Sequence, residues 1–206
     1  MTDAGVAGIV LAAGAGSRIG GPKALLRLGG TTLVERAVRT LIDGGCQSPV
    51  HVVLGKSLGT PLPAVAEMRP TWNLTWREGI GSSLRHGLAT LEHARGVGAA
   101  VVLLVDQPGV RPAAVERLIA AYRAGAVVAV ATYAGRRGHP VLLRRSTWPG
   151  VRARAAGEHG ARAFMAAHPE LVTEVACDGV GSDDDIDTPE DLARLRGDLE
   201  DRSSCT

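Results

Sequence analysis

Aromatic residues are scarce in this chain, at 3% of 206 residues. Against that background Trp72 and Trp76 stand out; strand spacing would put both on one face, in core or rim packing. Cysteine is also sparse. Cys46, Cys177 and Cys205 are odd in number, far apart and without a CxxC pair, so neither a zinc site nor a disulfide framework is indicated. A reducing, cytoplasmic compartment is the expectation. No apolar run is long enough to span a bilayer, and the N-terminus lacks the basic and apolar regions of a signal peptide. The formal charge of +2 is too small to argue for nucleic acid or an acidic membrane as a partner. There is no internal repeat, low-complexity tract or clean linker.

What is present is a hydrophobic content of 45%, enough for a sizeable core in one domain over 1–200, with a short flexible tail over 201–206. One stretch organises the rest: Gly8-Ile9-Val10-Leu11-Ala12-Ala13-Gly14-Ala15-Gly16-Ser17-Arg18-Ile19-Gly20-Gly21-Pro22-Lys23. It opens as a buried strand and breaks into a glycine-rich loop. Backbone N–H groups in such a loop form an anion-binding concavity. Arg18 and Lys23 add fixed positive charge, and Lys23 is expected to face solvent. The ligand this asks for is a triphosphate; the bland alternative is a turn with solvated charges. The dinucleotide fingerprint G-x-G-x-x-G fails, because it needs glycine at Ile19. The P-loop fails as well, because Pro22 separates glycine from Lys23 and Ala24 replaces the hydroxyl residue.

Along the chain, Thr31 or Thr32 caps a helix, with Glu35 in capping-box position and Gly44-Gly45 at its end. Strands follow at Val50–Leu54 and Thr71–Trp76, separated by a loop or short helix from Lys56 to Pro70. A helix runs from Ser82 or Ser83 to Leu91. Ala99–Val105 is an unbroken apolar run, as in a central parallel strand. Pro112 starts a helix, and Ala126–Thr132 forms another strand. Gly135-Arg136-Arg137-Gly138 reads as a basic turn from which His139–Leu143 runs. A loop entering a helix (Gly157–Ala167), a late strand (Leu171–Cys177) and a helix opened by Thr188-Pro189 complete the chain. This alternation predicts an α/β fold, a Rossmann-like, mostly parallel sheet with helices on both faces.

Ligands in such sheets sit beyond the carboxyl ends of the strands. The glycine loop and Asp106, after the central strand, both fall there. Taken alone, Asp106 reads as a turn cap; beside a triphosphate loop it is suited to holding Mg²⁺. In the acidic run, Asp183 and Asp184 read as a solvated loop, whereas Asp187 stands directly before the last helix.

The loop pattern L-A-A-G-x-G-x-R-x-G-x-P-K resembles that of the molybdenum-cofactor cytidylyltransferase family, the MobA-like nucleotidyltransferases. Four further segments carry the resemblance: Trp76–Leu84 (W-x-x-G-x-G-x-S-L), Leu104-Val105-Asp106-Gln107-Pro108, Gly138-His139-Pro140-Val141, and Asp185-Ile186-Asp187-Thr188-Pro189. Gly157-Glu158-His159-Gly160-Ala161-Arg162 is similar to the family's G-D-x-G-A-R, with Glu158 in place of aspartate. The resemblance implies a nucleotidyltransferase (GT-A-like) fold. It implies catalytic roles for Arg18, Lys23, Asp106 and Asp187, with Mg²⁺ on Asp106 and Asp187. Nucleotide contacts would fall on Leu11, Ala12, Ala13, Gly14, Gly16, Gly81, Ser82 and Ser83, and a pterin-side contact on His139. Ala13 and Pro22 lean to the cytidylyl branch. The implied partners are CTP, the molybdenum-pterin cofactor, and a molybdoenzyme or chaperone that receives the product. The rivals are a nucleotide-dependent oxidoreductase of the same sequence group, a guanylyltransferase, and a non-catalytic cofactor-binding protein.

Overall fold

A computed structural model describes residues 4–14, 16–55 and 61–204, with side chains as far as residue 197. The first strand, β1 (Gly5–Ala12), is the buried apolar run at the start of the chain. A small ribbon follows, β2 (Arg27–Leu28) paired with β3 (Thr31–Thr32). It delivers the chain into α1 (Leu33–Asp43). The cap is Thr32: its hydroxyl accepts from the Glu35 N–H, and the Glu35 carboxylate accepts from the Thr32 N–H. Such a reciprocal pair contributes about 1 kcal/mol.

The remaining elements are β4 (Gln47–Leu54), β5 (Met68–Trp72), α2 (Ile80–Thr90), β6 (Val97–Leu104), α3 (Pro112–Arg123), β7 (Val128–Tyr133), β8 (Arg136–Arg144), α4 (Trp148–Arg154), α5 (Arg162–Ala167), β9 (Val172–Ala176) and α6 (Pro189–Ser204). Seven strands form one sheet in the order β5-β4-β1-β6-β8-β7-β9. All neighbours are parallel except β8, which is antiparallel to both β6 and β7.

Side chains alternate across the sheet, as strand geometry requires. On β1, Val6 and Val10 face a core shared with α1 and α3, where Leu41, Val115 and Leu118 are fully enclosed. Ala7, Ile9 and Leu11 face the opposite core, against Leu84 and Leu88 of α2, Val151 of α4 and Phe164 of α5. Helices therefore cover both faces, and the carboxyl ends of β1 and β6 open on one edge of the sheet.

Several expectations are corrected here. The basic turn is not a turn: the hairpin turns at Ala134 and Gly135, with φ of 49° and 72°, a conformation that suits a two-residue hairpin loop. Arg136 and Arg137 already belong to β8, opposite Tyr133 and Thr132. That tight connection leaves no room for a crossover, so β8 runs antiparallel. The strand expected over Thr71–Trp76 lies earlier, over Met68–Trp72. Asn73 ends it, its side-chain oxygen accepting from the N–H and hydroxyl of Thr75. The two tryptophans consequently do not share a strand face. Trp72 is 50% exposed; Trp76 lies in a single 3₁₀ turn with the Arg77 guanidinium 4.9 Å above its ring. At the C-terminal end, α6 runs to Ser204, past the expected start of the tail at 201. Residues 56–60, within the expected loop or short helix, lie outside the described residues.

Candidate active site

The glycine loop leaves β1 at Ala13 and tightens at once. Gly16 has a φ of 60°, and its carbonyl accepts from the N–H groups of Ile19 and Gly21. A Cβ at Gly16 would lie 1.8 Å from the Gly21 carbonyl oxygen, so no other residue closes this turn without moving backbone. Ala15 lies outside the described residues. Short 3₁₀ turns at Ser17–Ile19 and Lys23–Leu25 follow, rather than an α-helix. A dinucleotide-type loop presents the N-terminus of a helix to its ligand, and this loop does not.

The second 3₁₀ turn aims Lys23 back across the strand ends. Its ammonium lies 2.7 Å from Asp106 Oδ2 and 2.7 Å from Asp187 Oδ1. The two carboxylate oxygens are therefore separated by no more than twice that distance. Contrary to expectation, Lys23 is not solvent-facing: its side chain is only 13% exposed. Burial opposes its charge, but the hydrogen bonds to Asp106 and Asp187 outweigh that and raise its pKa. The hydrogen bond from Lys23 holds Asp187 below its ordinary value. Arg18 joins at the rim, 3.4 Å from Asp187.

Backbone contacts set the spacing of the two carboxylates. The Val105 N–H donates to the Leu11 carbonyl, which ties the end of β6 to β1. The Ile186 N–H donates to the Asp106 carbonyl at 2.8 Å, so the residue before Asp187 is pinned to Asp106 itself. Beyond Asp187, the Asp191 carboxylate accepts from the Asp187 and Thr188 N–H groups and the Thr188 hydroxyl, which fixes the start of α6.

A cavity of about 530 Å³ opens beside this cluster, bounded by Leu11, Ala13, Gly14, Lys23, Asp106 and Ser83 among others. Ala12 is buried behind it. Ser82 turns away, its hydroxyl donating to the Thr75 and Gly79 carbonyls and accepting from Asn73. The Gly81 N–H is likewise used internally, by the Gly157 carbonyl. Of that expected trio only Ser83 lines the cavity.

A second cavity, of about 330 Å³, adjoins the first and shares Leu11, Ile80, Leu104 and Glu158 with it. Its walls are apolar, with Leu84, Val141 and Leu143 among them, and Arg137, His139 and Arg162 also line it. His139 is half-buried; burial, reinforced by Arg162 and opposed by Asp106, pushes its pKa down to about 4. The imidazole is neutral at physiological pH.

Three features escaped the sequence reading. Asn73 is buried and donates to the hydroxyls of Ser82 and Ser83, anchoring the start of α2; its place two residues before a threonine is an Asx-turn signal. Asp185 is raised by burial and by Asp106, which only the folded arrangement reveals. Asp183 is half-buried rather than fully solvated: a Cβ on Gly138 would fall 2.2 Å from its carboxylate, and its carbonyl accepts from Gln107. Asp184 is exposed, as expected.

The model of the MobA-like NTP transferase domain matches residues 8–172. The chain belongs to that family. A nicotine blue oxidoreductase from Paenarthrobacter nicotinovorans is 38% identical over 201 residues, covering 92% of this chain and 96% of that protein. A molybdenum cofactor guanylyltransferase from Sinorhizobium fredii is 32% identical over 179 residues, covering 81% and 77%. A Mycobacterium tuberculosis H37Rv protein, solved as a complex with manganese, superposes with a TM-score of 0.73 at 28% identity, covering 94% of this chain and 98% of that one. The fold is that of the nucleotidyltransferases.

Proposed function

We propose that this MobA-like protein transfers CMP from CTP to the terminal phosphate of the molybdenum-pterin cofactor and releases pyrophosphate. The observation that carries the reading is the convergence of two carboxylates, Asp106 and Asp187, on the Lys23 ammonium, 2.7 Å from each, at the mouth of the glycine loop. Attack of one phosphate on another needs placement and neutralisation of charge more than covalent help.

The acceptor phosphate oxygen would form a bond to the α-phosphorus of CTP while the bond from that phosphorus to the β-phosphate oxygen breaks. Lys23, Arg18 and the loop N–H groups are suited to holding the triphosphate and taking up charge on the leaving pyrophosphate. The donor set also fits a divalent cation. Two carboxylate oxygens already converge on one cation, and Mg²⁺ takes one or two carboxylates plus phosphate oxygens rather than a protein-only cage. Among the described residues no cluster of three or more His, Cys, Asp or Glu offers such a cage. Asp106 and Asp187 would hold the ion, and it would supply charge neutralisation between the reacting phosphates.

The neighbouring apolar cavity, with Arg137 and Arg162 in its lining, suits the planar body and anionic group of a pterin phosphate. Ala13 at the wall of the first cavity supports a pyrimidine, because its methyl takes space beside the loop. The expected result is Mg²⁺-dependent pyrophosphate release from CTP and molybdenum-pterin cofactor, with CTP bound more tightly than GTP. A preference for GTP would overturn the cytidylyl choice, and no release from either would overturn the transferase reading.

One observation favours a second reading: the end-to-end relation to the nicotine blue oxidoreductase. On that reading the apolar cavity would hold an oxidisable ring, and a nicotinamide cofactor would bind along the loop. The two readings separate on a binding screen with CTP, GTP and NADPH. Tight NADPH binding without nucleoside triphosphate binding would favour the oxidoreductase.

A further inference from the structure

On the α1 and α3 side of the sheet lies a cavity of about 860 Å³ that shares no lining residue with the two cavities above. Three arginines line it: Arg36 and Arg39 from α1, and Arg111 from the residue before α3. Among the described residues none of the three forms an ion pair, and Arg36 makes one long contact, 3.4 Å, to the Leu28 carbonyl. Asp43 and Asp184 also line the cavity, yet among the described residues neither bonds to an arginine, and the three arginines in the lining exceed these two carboxylates by one, with Glu35 of α1 near enough for Arg39 to lower its pKa. Burial, and then the charges of Arg111 and Arg39, lower the pKa of Arg36. An anion between the three would relieve that repulsion.

The rest of the wall is built to match. The first turn of α3, 12 residues long and without a side-chain cap, opens on the cavity. Two loops close against each other there: the Ser182 N–H donates to the Gly109 carbonyl, and a Cβ at Gly109 would lie 2.3 Å from the Ser182 hydroxyl. Thr40 and Ser182 add hydroxyl groups to the lining. Guanidinium forks match phosphate oxygens in pairs, and the volume far exceeds one phosphate group.

We infer that this cavity is a second anion site, separate from the glycine loop, that takes a small molecule carrying two or more linked phosphates. The ligand is free pyrophosphate or the polyphosphate of a nucleotide; the phosphate chemistry is common to both. The test is an assigned amide NMR titration of the full chain with pyrophosphate and, separately, with CTP, both without divalent metal. Saturable shifts at Gly109, Arg111, Gly181 and Ser182, with a Kd below about 1 mM, are expected. A response to pyrophosphate identifies the free anion as a sufficient ligand, and a response to CTP alone identifies the nucleotide. The double variant Arg39→Gln, Arg111→Gln should weaken that response about tenfold or more while the Gly14 and Gly16 signals respond as before. The single variant Arg39→Gln should give a smaller loss, so the dependence can be read even if the double variant folds poorly. In Lys23→Ala the response of the four signals should persist. The proposal fails if the four signals do not move, if they move with unchanged affinity in both arginine variants, or if Lys23→Ala abolishes their shifts.

Discussion

The two adjoining cavities at the strand ends are built from opposite materials. The first is governed by charge: Lys23 is held between Asp106 and Asp187, with Arg18 at the rim. The second is governed by shape: Leu84, Val102, Val130, Val141 and Leu143 enclose it, all from the α2 and α5 side of the sheet. The division follows from sheet geometry. Residues just past the carboxyl ends of β1 and β6 leave the ladder and can carry polar groups. Residues still within β6, β7 and β8 must be apolar on their inward face. Phosphoryl transfer needs neutralised charge, while choosing an acceptor needs a fitted surface. On the proposed function, the charged cavity would serve the reaction common to nucleotidyl transfer, and the apolar cavity the choice of acceptor.

The most severe way to break this contrast is to remove charge from the first cavity without changing its shape. Asp106→Asn does that. Turnover with CTP and Mg²⁺ should fall about a thousandfold or more, in line with the loss of a pre-placed charge at a phosphoryl transition state. The thermal midpoint should barely move, because Lys23 keeps Asp187 as a partner. A variant that retained a tenth of wild-type pyrophosphate release would remove Asp106 from the reaction.

Lys23→Ala should come next, lowering turnover about a hundredfold. Here stability should suffer as well, since the enclosed ammonium neutralises two close carboxylates. A loss of about 1 kcal/mol is expected, kept small because Asp187 is 39% exposed. Denaturant unfolding checks it. Unchanged kcat would show that the loop does not cradle the triphosphate.

How far the sequence discloses this arrangement depends on the range of the interaction. The Thr32–Glu35 cap and the start of α6 at Thr188 are local and were legible from a few residues. The unbroken apolar run before Asp106 announced a buried central strand. The Lys23 bridge spans 83 and 164 residues of chain, so spacing points to a common strand edge but not to a contact, and nothing local signals the enclosure of Lys23. The β7–β8 hairpin was misplaced because an alanine, Ala134, takes the left-handed position that glycine or asparagine normally advertises. The two tryptophans have the spacing of one strand face, but the Asn73 turn ends the strand between them. The half-burial of Asp183 is not legible because its neighbour, Gly138, is 45 positions away in sequence and adjacent only in the fold.

The contrast is sharpened by filling the second cavity alone. Ala161 sits just before α5, half-buried, and lines the apolar cavity but not the charged one. Ala161→Leu should raise KM for the acceptor about tenfold by occupying its space and leave KM for CTP within about twofold. Equal effects on both substrates would mean that the two cavities do not divide the work. Steady-state kinetics with each substrate varied in turn separates the outcomes.

The smallest effect concerns His139, where the apolar cavity meets charge. Its pKa is pushed from the ordinary 6.5 down to about 4, first by burial, with Arg162 lowering it further and Asp106 opposing. The folded protein therefore keeps a neutral imidazole over a range in which the unfolded chain binds a proton. Between about pH 6.5 and pH 4 the unfolded state holds more protons than the folded state, so acidification favours unfolding. The stability contributed by this group is present above pH 6.5 and is lost as the pH falls through that window. His139→Gln keeps a polar planar side chain and cannot titrate, so its melting temperature should decline less steeply than that of wild type from pH 7 to pH 5. Parallel declines would mean that the ring is solvated and takes up its proton in the folded protein. In that case the rim of the apolar cavity would gain a positive charge on mild acidification, and acceptor binding, rather than stability, would carry the pH dependence.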